Sequence, residues 1–135
     1  MTTLAEREAE IIELFEWIED DTDRYTQIIE LGRKLKPFPE EFRTETNEVK
    51  GCQSKVWMHH QLEGETILFF ADSNTAITKG IVSLLVYLWS GLTKKELDQA
   101  NLEILEKIEL RKYLSSQRSN GLTAMIMRMK AVADL

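Results

Sequence analysis

The chain has 135 residues, of which 43% are hydrophobic and 30% are charged. This balance is typical of a globular domain and excludes a disordered or collagen-like chain, so we expect a single domain over residues 1–135. Seventeen lysines and arginines against 23 aspartates and glutamates give a net charge of −6. That sign argues against nucleic acid or an anionic membrane surface as the main partner.

The sequence also lacks the signals of a membrane or secreted protein. Its longest stretch without a charged side chain runs from Gly80 to Thr93, which is shorter than the roughly 18 apolar residues of a spanning helix. The N-terminal residues include acidic side chains where a secretion signal carries a basic region. A single cysteine, Cys52, excludes an intramolecular disulfide and a zinc site built from several cysteines of one chain. We therefore expect a cytoplasmic protein that binds proteins or small molecules.

Two amphipathic helices are predicted in the first third of the chain. The apolar stripe of the first helix consists of Ile11, Ile12, Leu14, Phe15 and Ile18. Asp20–Asp23 then offer side-chain oxygens for the N-cap of a second helix of about 14 residues. The stripe of the second helix consists of Tyr25, Ile28, Ile29 and Leu35. Pro37 and Pro39 prevent this helix from continuing.

A change from helical spacing to alternation predicts a β-hairpin in the middle of the chain. Apolar and polar side chains alternate from Val56 to Leu62, Glu63-Gly64 makes a turn, and Ile67–Phe70 forms a second β-prone run. An isolated hairpin is marginal in water. For this reason Thr46–Val49 is expected to add a short third strand.

A long apolar helix is predicted after the hairpin. Asp72-Ser73-Asn74 provides cap residues for its start, and Gly91 suits its C-terminal end. Its buried face consists of Ile77, Ile81, Leu84, Leu85 and Leu88. The rest of its surface is also largely apolar, which is typical of a central helix that lies across a sheet.

Helical segments are also predicted for the last third of the chain. Thr93-Lys94-Lys95-Glu96 is a capping box that opens a short helix, and a further helical segment carries Ile104, Leu105 and Ile108. Ser119-Asn120-Gly121 is expected to open the last helix. The stripe of this last helix consists of Leu122, Met125, Ile126, Met129 and Val132. The order of helices, hairpin and helices predicts an α+β fold.

Cys52 is the first candidate for chemistry. Its neighbours in Gly51-Cys52-Gln53-Ser54 are typical of a loop, whereas a free cysteine is more often a small buried hydrophobe. The nearby cations Lys50 and Lys55 would favour the thiolate at a loop tip. The residues alone therefore leave both a reactive thiol and a buried structural cysteine open.

The adjacent histidines His59 and His60 are a second candidate. Consecutive side chains of a strand point to opposite faces, so the two are poorly placed to bind one metal ion, and no metal site is predicted. A nucleophile-base pair of Cys52 and His60, as in a cysteine hydrolase, stays open, although no third orienting group has a sequence signature. The sequence shows no phosphate-binding loop and no dinucleotide fingerprint.

The segment Gly51-Cys52-Gln53-Ser54-Lys55-Val56-Trp57 closely resembles the SufE family, the sulfur acceptors that partner cysteine desulfurases in iron-sulfur cluster assembly. Other landmarks of this family occur in the same order and spacing. They are Tyr25 with Ile28-Ile29-Glu30-Leu31-Gly32, Asp72-Ser73 with Ala76-Ile77 and Lys79-Gly80, and Ser119-Asn120-Gly121-Leu122 with Met125. The resemblance covers nearly the whole chain, as one SufE-like domain.

This resemblance implies both a fold and a function. The fold is a small antiparallel sheet, a hairpin plus a third strand, covered by helices as in the IscU-type scaffolds. Cys52 would accept a sulfane sulfur from the persulfide of a cysteine desulfurase of the SufS or CsdA type, stimulate that enzyme, and pass the sulfur to an iron-sulfur scaffold complex. The chain would need no cofactor of its own, because the pyridoxal phosphate belongs to the desulfurase. A monomer or a weak homodimer is expected.

The same resemblance supplies the candidate site residues. Cys52 is the persulfide acceptor, and the candidates for loop and partner contacts are Lys50, Gly51, Gln53, Ser54, Lys55, Asp72 and Arg118. Gly51 would let the loop move, and the nearby cations would favour the thiolate and persulfide anions. Taken alone, Arg118 predicts only a surface ion pair. A second hypothesis is an adaptor that activates the desulfurase allosterically while Cys52 is structural.

Overall fold

The computed structural model describes residues 2–135, apart from the side chain of Tyr113. Its helices and strands, in chain order, are α1 (Leu4–Glu16), α2 (Asp21–Gly32), β1 (Val56–Glu63), β2 (Thr66–Ser73), α3 (Ala76–Trp89), β3 (Leu92–Thr93), α4 (Lys94–Gln99), α5 (Glu103–Lys107) and α6 (Ser116–Ala131). Short 3₁₀ helices lie at Glu40–Phe42, Leu110–Tyr113 and Val132–Asp134. Within these residues, no helix has both the length and the apolar surface that crossing a bilayer requires.

The sheet has three antiparallel strands in the order β1-β2-β3, which confirms the predicted α+β fold and the predicted hairpin. The position of the third strand was wrong. Glu48, in the segment Thr46–Val49, forms only an isolated bridge to Trp57, because the chain leaves the sheet to enter a loop. The third strand is instead Leu92–Thr93, which follows α3 and pairs with the start of β2.

Helix α3 crosses the sheet and carries the predicted core face. The exposed fraction is 3% or less for Ile77, Ile81, Leu84, Leu85 and Leu88. Its predicted cap was wrong, because β2 continues through Ser73 and the N-cap is Thr75, which makes no side-chain cap hydrogen bond. Gly91 has a φ of +89° just after the C-cap residue Ser90, in the left-handed region that favours glycine at a helix end.

Two glycines let α2 and α3 pack with their backbones in contact. A Cβ atom added to Gly80 would lie 2.0 Å from the carbonyl oxygen of Ile28, and one added to Gly32 would lie 2.8 Å from the Gly80 amide nitrogen. Neither position has room for a methyl group. Both glycines belong to the segments that carry the family resemblance, and in the structure their backbones are in contact.

The core side of α1 differs from the predicted stripe. Leu14 is 37% exposed and borders an open groove of about 600 Å³. The helix ends at Glu16, and the carbonyl oxygen of Ile18 beyond it accepts a hydrogen bond from Arg24. Arg7 is buried instead, and its guanidinium donates to carbonyl oxygens at the end of α3.

Two other predicted helix boundaries also shift. Helix α2 has 12 residues and ends at Gly32, before the predicted stripe residue Leu35. Helix α6 begins at Ser116, after the N-cap Ser115. Ser119-Asn120-Gly121 therefore lies inside this helix and does not open it, because the earlier serine already satisfies a first-turn amide.

Replacing Gly80 by alanine should destabilise the fold by at least about 2 kcal/mol, because the new methyl group would overlap the backbone of α2. Gly121→Ala is the matched control in another helix, where the added Cβ would meet its nearest neighbour at 3.5 Å, an ordinary contact. The control should be neutral or stabilising by up to about 1 kcal/mol, the helix-propensity gain of alanine over glycine. Urea unfolding of both variants measures the difference. Equal stability of the Gly80→Ala and wild-type chains would disprove the close helix contact.

Candidate functional site

The loop that carries Cys52 is closed at its base. The backbone amide of Val49 donates to the carbonyl oxygen of Val56 over 2.8 Å. Residues 50–55 therefore form a short loop whose two ends are held together at the start of β1. This confirms the prediction that Cys52 lies on a loop before the first long strand.

The last residue of the loop is tied to the junction between β2 and α3. The backbone amide of Lys55 donates to Asn74 Oδ1 over 3.0 Å, and Ser73 Oγ donates to the carbonyl oxygen of Lys55 over 2.8 Å. These are the polar residues whose composition predicted a helix cap. Their side-chain oxygens hold the loop instead.

Ser54 is also held by this junction. Its Oγ lies 2.8 Å from Thr75 Oγ1 and accepts a hydrogen bond from Thr78 Oγ1 over 3.2 Å. Ser54 therefore anchors the loop to the first turn of α3. In this structure its hydroxyl is engaged in these two contacts.

Cys52 lies half buried near the tip of the loop, against α6. Its Sγ donates to the carbonyl oxygen of Gly121, 3.6 Å away. The thiol borders a hollow of about 10 Å³, which is close to the smallest space that holds one water molecule. The walls of this hollow include Thr78 of α3 and Arg118 and Met125 of α6.

The surroundings of Cys52 favour the neutral thiol. Burial raises the pKa of the Cys52 thiol above its ordinary value, and the Gly121 carbonyl accepts a bond that only the protonated sulfur can donate. Lys50 and Lys55 are exposed, so water and salt screen their charges. Among the described residues no cation offsets the effect of burial on this pKa. These surroundings therefore favour the protonated thiol over the lysine-stabilised thiolate that the sequence suggested.

Gly51 fixes the shape of the resting loop. Its φ of +90° lies in the left-handed region that side chains other than glycine rarely adopt. An added Cβ would also lie 3.4 Å from Ala124 Cβ on α6. A residue other than glycine at this position would strain the backbone of the loop.

Lys50, Gln53 and Lys55 are accessible residues of the loop that carries Cys52. All three residues are exposed. None of them forms a side-chain hydrogen bond or an ion pair with the part of the chain that the structure describes. Their side chains are therefore available around the loop.

Arg118 lies beside the cysteine, although the two are far apart in sequence. Its side chain borders the same hollow as Cys52, and its Nε is buried without a hydrogen-bond partner within residues 2–135, the side chain of Tyr113 excepted. No ion pair of Arg118 occurs among those residues, so the prediction of a surface ion pair was wrong. A buried donor without a partner is uncommon, because it loses its bond to water without replacement.

Asp72 belongs to a separate ion-pair cluster. Its carboxylate accepts from Arg43 Nη2 over 2.5 Å and lies 3.4 Å from Lys79 Nζ. Burial acts to raise the pKa of Asp72, but the hydrogen bonds from Arg43 and the Ser73 amide, with the Lys79 charge, hold this pKa below its ordinary value. Asp72 does not border the hollow at Cys52, so its visible role is to tie the sheet to neighbouring segments.

The two histidines are not part of the thiol site. His59 stacks on Phe42 with ring centroids 3.6 Å apart, and neither His59 nor His60 borders the hollow at Cys52. Burial lowers the pKa of both rings. The suggested Cys52 and His60 pair is therefore not assembled. The described residues also hold no group of three or more histidine, cysteine, aspartate or glutamate side chains placed to bind a metal ion.

Sequence reasoning did not predict the roles of Gly121 and Thr78. Gly121 was a landmark near a helix start, but its contact with the thiol spans 69 positions of sequence, and no local pattern reports such a contact. Thr78 offered a weak signal, since it is a hydroxyl residue within a helix whose surface is largely apolar. Buried hydroxyl groups require hydrogen-bond partners.

A loop cysteine held between α3 and α6 of an α+β domain invites comparison with known proteins. The family model SufE, described as an Fe-S metabolism associated domain, matches residues 9–133. The chain belongs to the SufE family. The resemblance seen in the sequence is thereby confirmed.

Several relatives of this SufE-family chain cover most of its length. An uncharacterised SufE-like protein of Rhizobium meliloti (strain 1021) is 38% identical over 130 residues, which is 93% of each chain. The cysteine desulfuration protein SufE of Wigglesworthia glossinidia brevipalpis is 36% identical and covers 84% of this chain and 80% of its own. The sulfur acceptor protein CsdE of Escherichia coli (strain K12) is 35% identical, with coverage of 76% and 71%.

A solved structure has the same fold. The solution structure of a hypothetical protein from Thermus thermophilus matches with a TM-score of 0.76. It covers 95% of this chain and 93% of its own at 20% sequence identity. This likeness concerns the fold alone.

The thiol of Cys52 should react slowly in the folded chain. Because burial raises its pKa, the thiolate fraction at neutral pH is smaller than in an unfolded chain. Iodoacetamide labelling over a pH series should give a midpoint above that of the same chain unfolded in urea, with a lower rate at neutral pH. The single cysteine makes the labelled mass unambiguous. A midpoint at or below the unfolded value would contradict the buried resting thiol.

Proposed function

We propose that this SufE-family chain is a sulfur acceptor and carrier whose working group is Cys52. It takes a sulfane sulfur from the persulfide of a cysteine desulfurase, stimulates that enzyme, and delivers the sulfur to an iron-sulfur scaffold. The observation that carries the proposal is the placement of the single cysteine near the tip of a short loop, over a small hollow. The names of two relatives, a sulfur acceptor and a cysteine desulfuration protein, support it.

The transfer step needs only one good nucleophile on this chain. The Cys52 thiolate attacks the terminal sulfur of the partner's persulfide, a new sulfur–sulfur bond forms on Cys52, and the old one breaks. The partner's cysteine leaves as a thiolate and takes up the proton that Cys52 gave up, so no external oxidant or reductant is required. Delivery to the scaffold repeats the step with Cys52 as the leaving group.

The resting geometry suits a carrier that must avoid stray reactions. A protonated, half-buried thiol reacts slowly with oxidants and other thiols, because the thiolate is the reactive form. Docking would have to draw Cys52 away from the Gly121 carbonyl and the hollow. Leaving these surroundings removes the cause of the raised pKa, so exposure and activation would occur together.

Charged and polar residues around the loop have separate roles in this proposal. The exposed side chains of Lys50, Gln53 and Lys55 would contact the partner. The Nε–H of Arg118 would donate to the persulfide anion when the loaded loop returns to the hollow. This bond would satisfy a donor that has no partner among the described residues. The tiny hollow would have to widen slightly to admit the added sulfur.

The proposal assigns no cofactor to this chain. Pyridoxal phosphate and the carbon–sulfur cleavage belong to the desulfurase, and a reducing compartment such as the cytoplasm would keep the single thiol free between transfers.

Incubation with a cysteine desulfurase and free cysteine should add about 32 Da to the chain for each sulfur transferred. Intact-mass analysis without reductant measures the gain, and reductant should remove it. Cys52→Ser should gain nothing while keeping the wild-type melting temperature. If the serine variant still stimulates sulfide release fully, the adaptor hypothesis replaces the carrier.

A further inference from the structure

Thr78 carries a buried hydroxyl group on the central helix. It is 5% exposed, and its Oγ1 donates to Ser54 Oγ over 3.2 Å. The same Ser54 oxygen lies 2.8 Å from Thr75 Oγ1. A buried hydroxyl that loses its partner costs free energy, so these contacts resist any movement of Ser54 away from α3.

The two halves of the Cys52 loop are held very differently. Ser54 and Lys55 make hydrogen bonds to the β2–α3 junction. Lys50 and Gln53 are exposed and make no side-chain hydrogen bond to the described residues. Among the described residues, the Cys52 thiol between them makes a single hydrogen bond, a long one to the Gly121 carbonyl. The loop thus has a fixed end next to a weakly held tip.

We propose that Thr78 is a positioning residue for Cys52, and that it makes Ser54 the fixed pivot about which residues 50–53 carry the thiol between the hollow and a partner. The proposal adds a positioning residue to the sulfur-acceptor function and rests on that function. Thr78 acts through Ser54, because its hydroxyl bonds to the serine and not to the sulfur, and its side chain also borders the hollow at Cys52.

Loss of the hydroxyl has a definite consequence. Thr78→Val keeps the shape of the side chain but removes the bond to Ser54. Ser54 keeps its contact with Thr75, so the C-terminal end of the tip is held less firmly. Cys52 then leaves the hollow more often and spends more time in water, where its pKa approaches the ordinary value. The charged groups of the loop, Lys50 and Lys55, and the cation that borders the hollow, Arg118, are unchanged by the substitution.

The test is the rate of iodoacetamide labelling of Cys52 over a pH series, with no partner present. Thr78→Val should label about fivefold faster at neutral pH, the factor that corresponds to a hydrogen bond of about 1 kcal/mol. Its pH midpoint should fall toward that of the unfolded chain. Thr78→Ser, which keeps the hydroxyl, should restore both values to within about twofold of wild type.

Further variants make the test specific. Ser54→Ala should label at least as fast as Thr78→Val, because it also removes the contact with Thr75, and it keeps the test valid if Thr78→Val does not fold. The double variant should label no faster than Ser54→Ala alone, because Ser54→Ala already removes the bond that Thr78→Val removes. Ser83→Ala is the matched control, since Ser83 also lies in α3 but its hydroxyl donates to the Leu31 carbonyl oxygen. This control should leave labelling unchanged.

Three results would overturn the pivot. The first is labelling of both Thr78→Val and Ser54→Ala at the wild-type rate. The second is additive effects on the labelling rate in the double variant. The third is labelling of the Ser83→Ala control as fast as labelling of Thr78→Val. None of these depends on a desulfurase. Absence of any sulfur gain on the wild-type chain would instead overturn the sulfur-acceptor function while leaving the pivot intact.

Discussion

The backbone contact between α2 and α3 is the constraint on which the rest of the molecule depends. Gly80 cannot accept a Cβ without overlapping Ile28, so the position of α3 across the sheet is set by how closely α2 approaches it. Arg7 then binds the carbonyl oxygens at the end of α3, and Thr78 near its start holds Ser54. One helix therefore ties the N-terminal region to the loop that carries the cysteine.

This arrangement separates protection of the thiol from its reactivity. The pKa of Cys52 is raised by burial, and the cations of its own loop are exposed to water, where their influence is weak. Under the proposed function, the cysteine reacts slowly at rest and becomes a nucleophile when the loop leaves the hollow. The partner that draws the loop out would then also control when the chemistry occurs.

The sequence predicted the structure correctly where a local pattern is compatible with only one local structure. The spacing from Ile77 to Leu88 fits only a buried helix face, and the polar, glycine-containing neighbours of Cys52 fit a loop. Patterns that are compatible with several local structures led to wrong predictions. The oxygens of Ser73 and Asn74 serve a helix cap or a loop anchor equally well, and a two-residue strand such as Leu92–Thr93 has no period to detect. Contacts such as Cys52 with Gly121 arise only from the tertiary fold.

The central claim is that sulfur moves from a partner onto Cys52 and remains there as cargo. A single-turnover experiment tests this most directly: a desulfurase is loaded with one radiolabelled persulfide sulfur, freed of cysteine, and mixed with an equal amount of this chain. The account predicts that the label lost by the desulfurase appears on Cys52, one for one, before any sulfide is released. Label that leaves the desulfurase as free sulfide, with none on Cys52 at any time, would contradict it.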